Sequence, residues 1–186
     1  MSGMKNNGFL CIVSIWLLLS SCAPALQKHG NSLSDTVQSE NRLYSLRIEQ
    51  WEKLKFAGLV ALQLRESRLS YAMLDATGIK LIEAEVDFQG SYKLKRAMAG
   101  LKGSSLPGFF STALVRIFLM EPLENPCSRD GLMLFCTSPS ENGQNNKIMK
   151  IEPFTLWEVQ RNKGAIIYLQ PWLGIRMVLT DLNSDP

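Results

Sequence analysis

Residues 80–88 read KLIEAEVDF. Ile82, Ala84, Val86 and Phe88 fall on one side of a two-residue period, and Glu83, Glu85 and Asp87 on the other. That alternation is the pattern of a half-buried β-strand. The same period runs outward from it. Upstream, from about Leu43, the chain alternates again: Leu54, Phe56, Val60, Leu62 and Leu64 share one parity with Gly58 among them, and Leu69, Tyr71 and Met73 share the next. Downstream, Tyr92 and Leu94 continue the pattern after Gln89-Gly90-Ser91. The connections Arg65-Glu66-Ser67 and Ala76-Thr77-Gly78 are short, so neighbouring strands are expected to pair as an antiparallel meander.

At Leu106 the period changes. Leu106, Phe109, Phe110, Ala113, Leu114, Ile117 and Phe118 recur at three and four, a helical apolar stripe. Pro107 suits a first turn, Ser104 or Ser105 offers capping oxygens, and Pro122 forbids continuation. The other face carries Val115, Leu119 and Met120 beside Ser111, Thr112 and Arg116. Such a helix is a lid, an interface or a segment buried on two sides, and the sequence leaves these open. Strands are expected again over Lys147–Glu152, Thr155–Arg161, Ala165–Gln170 and Leu173–Asp181, with turns at Asn162-Lys163-Gly164 and Pro171-Trp172. The fold class read from this order is mainly β (α+β): one highly curved antiparallel sheet wrapped round a helix.

Ahead of the strands, residues 17–24 read LLLSSCAP. Lys5 precedes an apolar run, Phe9–Leu19, that is too short at about 1.5 Å per residue to cross a hydrocarbon core of about 30 Å. A basic start, a short apolar stretch and small residues make a secretory signal. Leu19-Ser20-Ser21-Cys22 resembles the lipobox of bacterial lipoproteins. The resemblance implies cleavage before Cys22, acylation of its thiol and a lipid-anchored chain. Ala23, where an Asp would favour the inner membrane, implies the outer membrane, facing the periplasm. The expected organisation is a signal peptide at 1–21, a lipidated flexible tether at 22–41 and a single domain at 42–186. Two or three acyl chains hold a protein stably on a bilayer.

The rest of the composition mostly excludes. A formal charge of +3 is too small to point to nucleic acid. The one histidine, His29, lies in the tether, so the folded region lacks the commonest general base and zinc ligand. Cys127 and Cys136 are left as an even pair, most simply a disulfide in an oxidising compartment. Their spacing matches neither CxxC nor a zinc pattern. Glu83, Glu85 and Asp87 read as a solvated strand face. We therefore assign no catalytic residue, metal site or cofactor, and no enzyme activity.

Two short stretches carry a family resemblance. Phe56-Ala57-Gly58-Leu59-Val60-Ala61-Leu62, followed by Leu69-Ser70-Tyr71-Ala72-Met73-Leu74-Asp75-Ala76-Thr77-Gly78-Ile79, resembles the early hairpin of the LolB family. These are outer-membrane lipoproteins that receive other lipoproteins from the periplasmic carrier LolA. The chain also resembles a lipoprotein family of unknown function with the same half-barrel look. The resemblance implies an incomplete β-barrel whose apolar concave face, covered by the helix, takes acyl chains. Arg65-Glu66-Ser67-Arg68 stands where LolB has an exposed apolar loop, which implies a relative with another hydrophobic ligand or a helper in envelope lipid export. Candidate cavity and lid residues are Tyr71, Met73, Phe109, Phe110, Leu114, Phe118, Trp157 and Met177. Expected partners are the membrane through Cys22 and an acyl-chain or lipoprotein cargo. The alternative function is a structural or assembly lipoprotein acting through protein contacts with an unidentified envelope partner.

Overall fold

The computed structural model describes residues 41–65, 68–124, 126–140 and 145–183, all within the unit Ser34–Pro186. The signal peptide, Cys22, His29 and the tether up to residue 40 lie outside the described residues. The strands are β1 (Asn41–Gln50), β2 (Lys53–Arg65), β3 (Arg68–Asp75), β4 (Lys80–Asp87) and β5 (Tyr92–Ala97), then β6 (Cys127–Asp130), β7 (Met133–Pro139), β8 (Asn145–Ile151), β9 (Phe154–Asn162), β10 (Ala165–Gln170) and β11 (Ile175–Asp181). Between β5 and β6 lies one helix, α1 (Leu106–Leu114), which runs on as a π-helical turn, Val115–Leu119. The fold is mainly β.

All eleven strands belong to one antiparallel, unclosed sheet in the order β5-β4-β3-β2-β1-β11-β10-β9-β8-β7-β6. Every neighbour is a sequence neighbour except β1 and β11, which join the two halves of the chain at the middle of the sheet. Their register sets Leu46 opposite Leu179 and Ile48 opposite Met177. Alternate residues along each central strand are buried: Tyr44, Leu46 and Ile48 in β1, Leu69, Tyr71 and Met73 in β3, Ile82, Ala84 and Val86 in β4, Trp157 and Val159 in β9. These side chains form one core cluster with Phe110, Ala113, Leu114 and Ile117 from the helical segment.

The helical segment touches strands far apart in the sheet. Gly108 sits against the Tyr92 ring of β5, and the carbonyl of Met120 accepts a bond from Lys147 of β8. At about 4.8 Å per strand those two strands would lie about 38 Å apart in a flat sheet. The helical segment between Gly108 and Met120 rises only about 18 Å. The sheet therefore bends toward the helix.

Several expectations shift in detail. Leu54 is exposed because a bulge opposite Ile48/Glu49 slips the register, so that Leu54 pairs with Glu49 and leaves the phase of Phe56. Phe88 and Leu173 are exposed too, since β4 ends at Asp87 and Leu173 belongs to a 3₁₀ turn. Neither Ser104 nor Ser105 caps α1 through its side chain: Ser104 donates to the carbonyl of Leu101 instead, and Ser105 makes no capping bond. Pro107 does stand in the first turn, and the helical run ends at Leu119, ahead of Pro122.

The cysteines form the expected disulfide, and both sit in strands. Cys127 and Cys136 face each other across the β6–β7 hairpin. Thr137 N donates to Pro126 O at 2.7 Å, which makes the cysteine pair a non-hydrogen-bonded one, where opposed side chains approach most closely.

Candidate functional site

The candidate site is the packed contact between the helical segment and the buried face of the sheet. Strand alternation aims Tyr71, Met73, Trp157 and Met177 into it, and helical spacing aims Phe110 and Leu114 into it from the other side. All six are almost fully buried, while Phe109 and Phe118 are half-buried at its margin. The rings pair across the gap between elements. Phe110 meets Tyr71 edge-on at 5.1 Å, and Phe118 lies 6.1 Å from Tyr44. Phe135 of β7 packs edge-on against Trp157 at 5.4 Å.

The helix is buried on more than its apolar stripe. Ser111 and Val115 are buried, and Thr112 is exposed. The Ser111 hydroxyl lies 2.9 Å from the Tyr71 hydroxyl, which also donates to the carbonyl of Pro107 at 3.2 Å. Pro107 and Ser111 belong to the first turns of α1, so Tyr71 fastens the start of the helix to β3. Burial pushes the Tyr71 phenol above its ordinary value, with the Ser111 bond opposing that shift.

The other end is held by cations. Lys147 reaches the carbonyl of Met120 at 2.7 Å and that of Ile117 at 3.2 Å, and its ammonium lies 2.6 Å from a Glu121 carboxylate oxygen. Arg161 donates to the same Ile117 carbonyl at 2.6 Å. Helix C-termini leave their last carbonyls without partners and carry partial negative charge, so two cations there satisfy both needs. Lys147 is 2 % exposed whereas Glu121 is mostly exposed. Burial lowers the Lys147 ammonium from its usual range, and the Glu121 bond pulls the other way. Between these fastenings Arg116 stacks over Trp157 at 5.5 Å and donates to the Tyr168 hydroxyl at 2.6 Å. Burial raises the Tyr168 phenol, and Arg116 opposes the rise.

The sequence reading did not single out Lys147, Arg161, Arg116 or Tyr168. A signal was present for two of them. Lys147 is in phase with buried Met149, and Arg161 with buried Trp157 and Val159, so each is a cation on an inward-facing parity. The periodicity of Arg116 and Tyr168 gives no comparable hint, because their pairing spans two distant elements.

The opposite face of the sheet holds a second feature, a cleft of about 390 Å³ over β1–β5. Ala61, Ser70 and Ala72 are small residues along it, and Gln63, Glu83 and Lys95 border it. Of the eight candidate residues only Tyr71 contributes to its lining. Glu83 and Glu85 are bonded to Lys80 and Lys95, at 2.7 and 2.5 Å. Those hydrogen bonds hold both carboxyls below their ordinary value. Among the described residues no group of three or more His, Cys, Asp or Glu is placed to hold a metal ion, and no helix is long and apolar enough to cross a membrane. Comparison with protein families finds no match to the chain, and comparison with curated proteins finds none either.

Proposed function

We propose that this chain is a lipid-anchored lipoprotein of the bacterial cell envelope, held by acylated Cys22 at the outer membrane and facing the periplasm. In this reading the curved sheet is an incomplete barrel that takes an acyl chain, or another apolar molecule, against its buried face. The observation that carries the proposal is the roof of that face. One helical segment covers large flexible and aromatic side chains (Met73, Met177, Tyr71, Trp157), and polar contacts fasten it at both ends. Methionines adapt to irregular apolar guests. In this reading the roof, held at its two ends and by Arg116 between them, is displaced as a unit, exchanging its own apolar contacts for those of the ligand.

Catalysis has no part in the proposal. The strand acids Glu83 and Glu85 are neutralised by lysines on the solvated face. A second reading, an assembly lipoprotein acting through protein contacts, draws on the open cleft across β1–β5. Mass spectrometry of what extracts with the natively purified full chain separates the two. Ligand binding predicts acyl lipid at about one per chain beyond the acyl groups on Cys22. Absence of such lipid, together with one stoichiometric protein captured by cross-linking in intact cells, would favour the assembly reading.

A further inference from the structure

The turns at one end of the sheet are apolar in a way that neither the core nor the roof explains. Following the strand order from β7 to β1, they expose Leu132, Phe154, Trp172, Leu173 and Trp51. Contacts join neighbouring turns. Phe154 meets Trp172 edge-on at 5.3 Å, and Trp51 N donates to the carbonyl of Gly174 at 2.8 Å. Among the described residues, the other end carries Arg65, Arg68 and Asn162-Lys163-Gly164, with Phe88, Tyr92 and Leu182 as exposed apolar residues.

Trp51 is placed there at a backbone cost. It and Glu52 both have positive φ, 52° and 63°, in a two-residue hairpin turn that favours Asn-Gly. Left-handed conformation is sterically unfavourable for a non-glycine residue, whose Cβ crowds the following carbonyl. The Trp51 ring lies in the space a Cβ would occupy on Gly174, itself at φ 59°. Glycine is therefore required beneath the indole, and the indole is still 65 % exposed. Strain that displays an aromatic to solvent and seats it on a glycine indicates a contact made outside the domain.

We infer that this rim inserts into the headgroup layer of a lipid bilayer. The apolar groups stand on four turn tips, three of them flanked by charges of both signs: Glu52 and Lys53, Lys150 and Glu152, Asp130 and Arg129; the Trp172–Leu173 tip lies between Gln170 and Arg176. No net field selects an acidic or basic protein, and the apolar side chains are spread over four turns along the sheet end. A bilayer interface yields around such tips, and tryptophan favours it because one edge of the ring is apolar and the other donates a hydrogen bond. Chain length fits this occupant. Residues 22–40 enter β1 at Asn41, at the end away from the rim; extended, they span up to about 65 Å, and β1 itself about 34 Å. A chain anchored at Cys22 thus lets the rim reach the same membrane, and on this point alone the inference rests on the anchor proposed above.

The test uses the full chain carrying Trp16→Phe, mixed with phosphatidylcholine–phosphatidylglycerol vesicles whose acyl chains bear bromine. The rim predicts that tryptophan emission falls by about half relative to unbrominated vesicles. The fall disappears when Trp51→Phe and Trp172→Phe are combined, because buried Trp157 is out of reach. A chain that sediments with the vesicles but keeps its full emission overturns the rim and leaves the anchor standing. Quenching that persists with Cys22→Ser supports the rim and counts against the anchor as its cause. A concentration-dependent dimer that shields both tryptophans in solution, without quenching on vesicles, overturns the inference in favour of a second copy.

Discussion

Lys147 shows how a single residue couples sheet and helix. It occupies an inward-facing position of β8, where an unpaired ammonium would be costly, and the last carbonyls of the helical segment together with Glu121 satisfy it. Replacing it by methionine keeps the volume and loses those bonds. Lys147→Met is expected to lower stability by about 1–3 kcal/mol at neutral pH, read from urea midpoints at unchanged slope. The pH dependence has a defined sign. Burial lowers the folded-state value of Lys147, so the unfolded chain holds its proton up to the ordinary 10.5 while the folded chain gives it up sooner. In that window the wild type gains stability as pH rises, and its advantage over Lys147→Met widens. Buried Tyr71 and Tyr168 act in the opposite sense above their ordinary value of 10.0, since the folded state retains their protons longer. The comparison is therefore made below pH 10.

The β6–β7 hairpin and the helical segment are the elements whose stability depends on one feature each. β6 has four residues at the edge of the sheet and is stapled to β7 by the disulfide. Closing so short a loop contributes roughly 2–3 kcal/mol by limiting the unfolded chain. The pair Cys127→Ser and Cys136→Ser is expected to lose about that much in thermal unfolding, and reductant should shift the wild type by the same amount and the variant not at all. In the helix, Phe110 is fully buried against Tyr71. Phe110→Ala should cost about 3–5 kcal/mol in urea unfolding. These elements also mark what the sequence makes legible. Alternation located nearly every strand, because one face of each is buried, and the 3-to-4 spacing located the helix. Leu54 misled because a bulge breaks the period, and Leu173 because a 3₁₀ turn precedes the last strand. The strand β6 went unread: four residues, only two of them partly buried, carry no usable alternation.

Across the whole described sheet, β1 and β11 bring the two ends of the domain together, and residues of the helical segment between β5 and β6 join the core cluster on its buried face. The fold class was legible because a two-residue period repeated through successive short turns leaves few options but an antiparallel sheet. The polar contacts of the helical segment were not, because Lys147, Arg161, Arg116 and Tyr168 acquire their meaning only from contacts 27 to 52 residues away in the chain. The edges of the sheet are protected: β5 carries Lys93, Lys95 and Arg96, and β6 is short and cross-linked. What distinguishes this domain is thus its interior face and the helix over it. The most direct measurement is a titration of the full chain with an environment-sensitive apolar fluorophore, followed by displacement with a long-chain fatty acid, repeated in Trp51→Ser/Trp172→Ser to exclude the rim. The account predicts saturable binding at about one fluorophore per chain, full displacement by the fatty acid, and tighter binding in Phe110→Ala, where the roof is loosened. Fluorescence that rises without saturation, or that the fatty acid leaves unchanged, would contradict it.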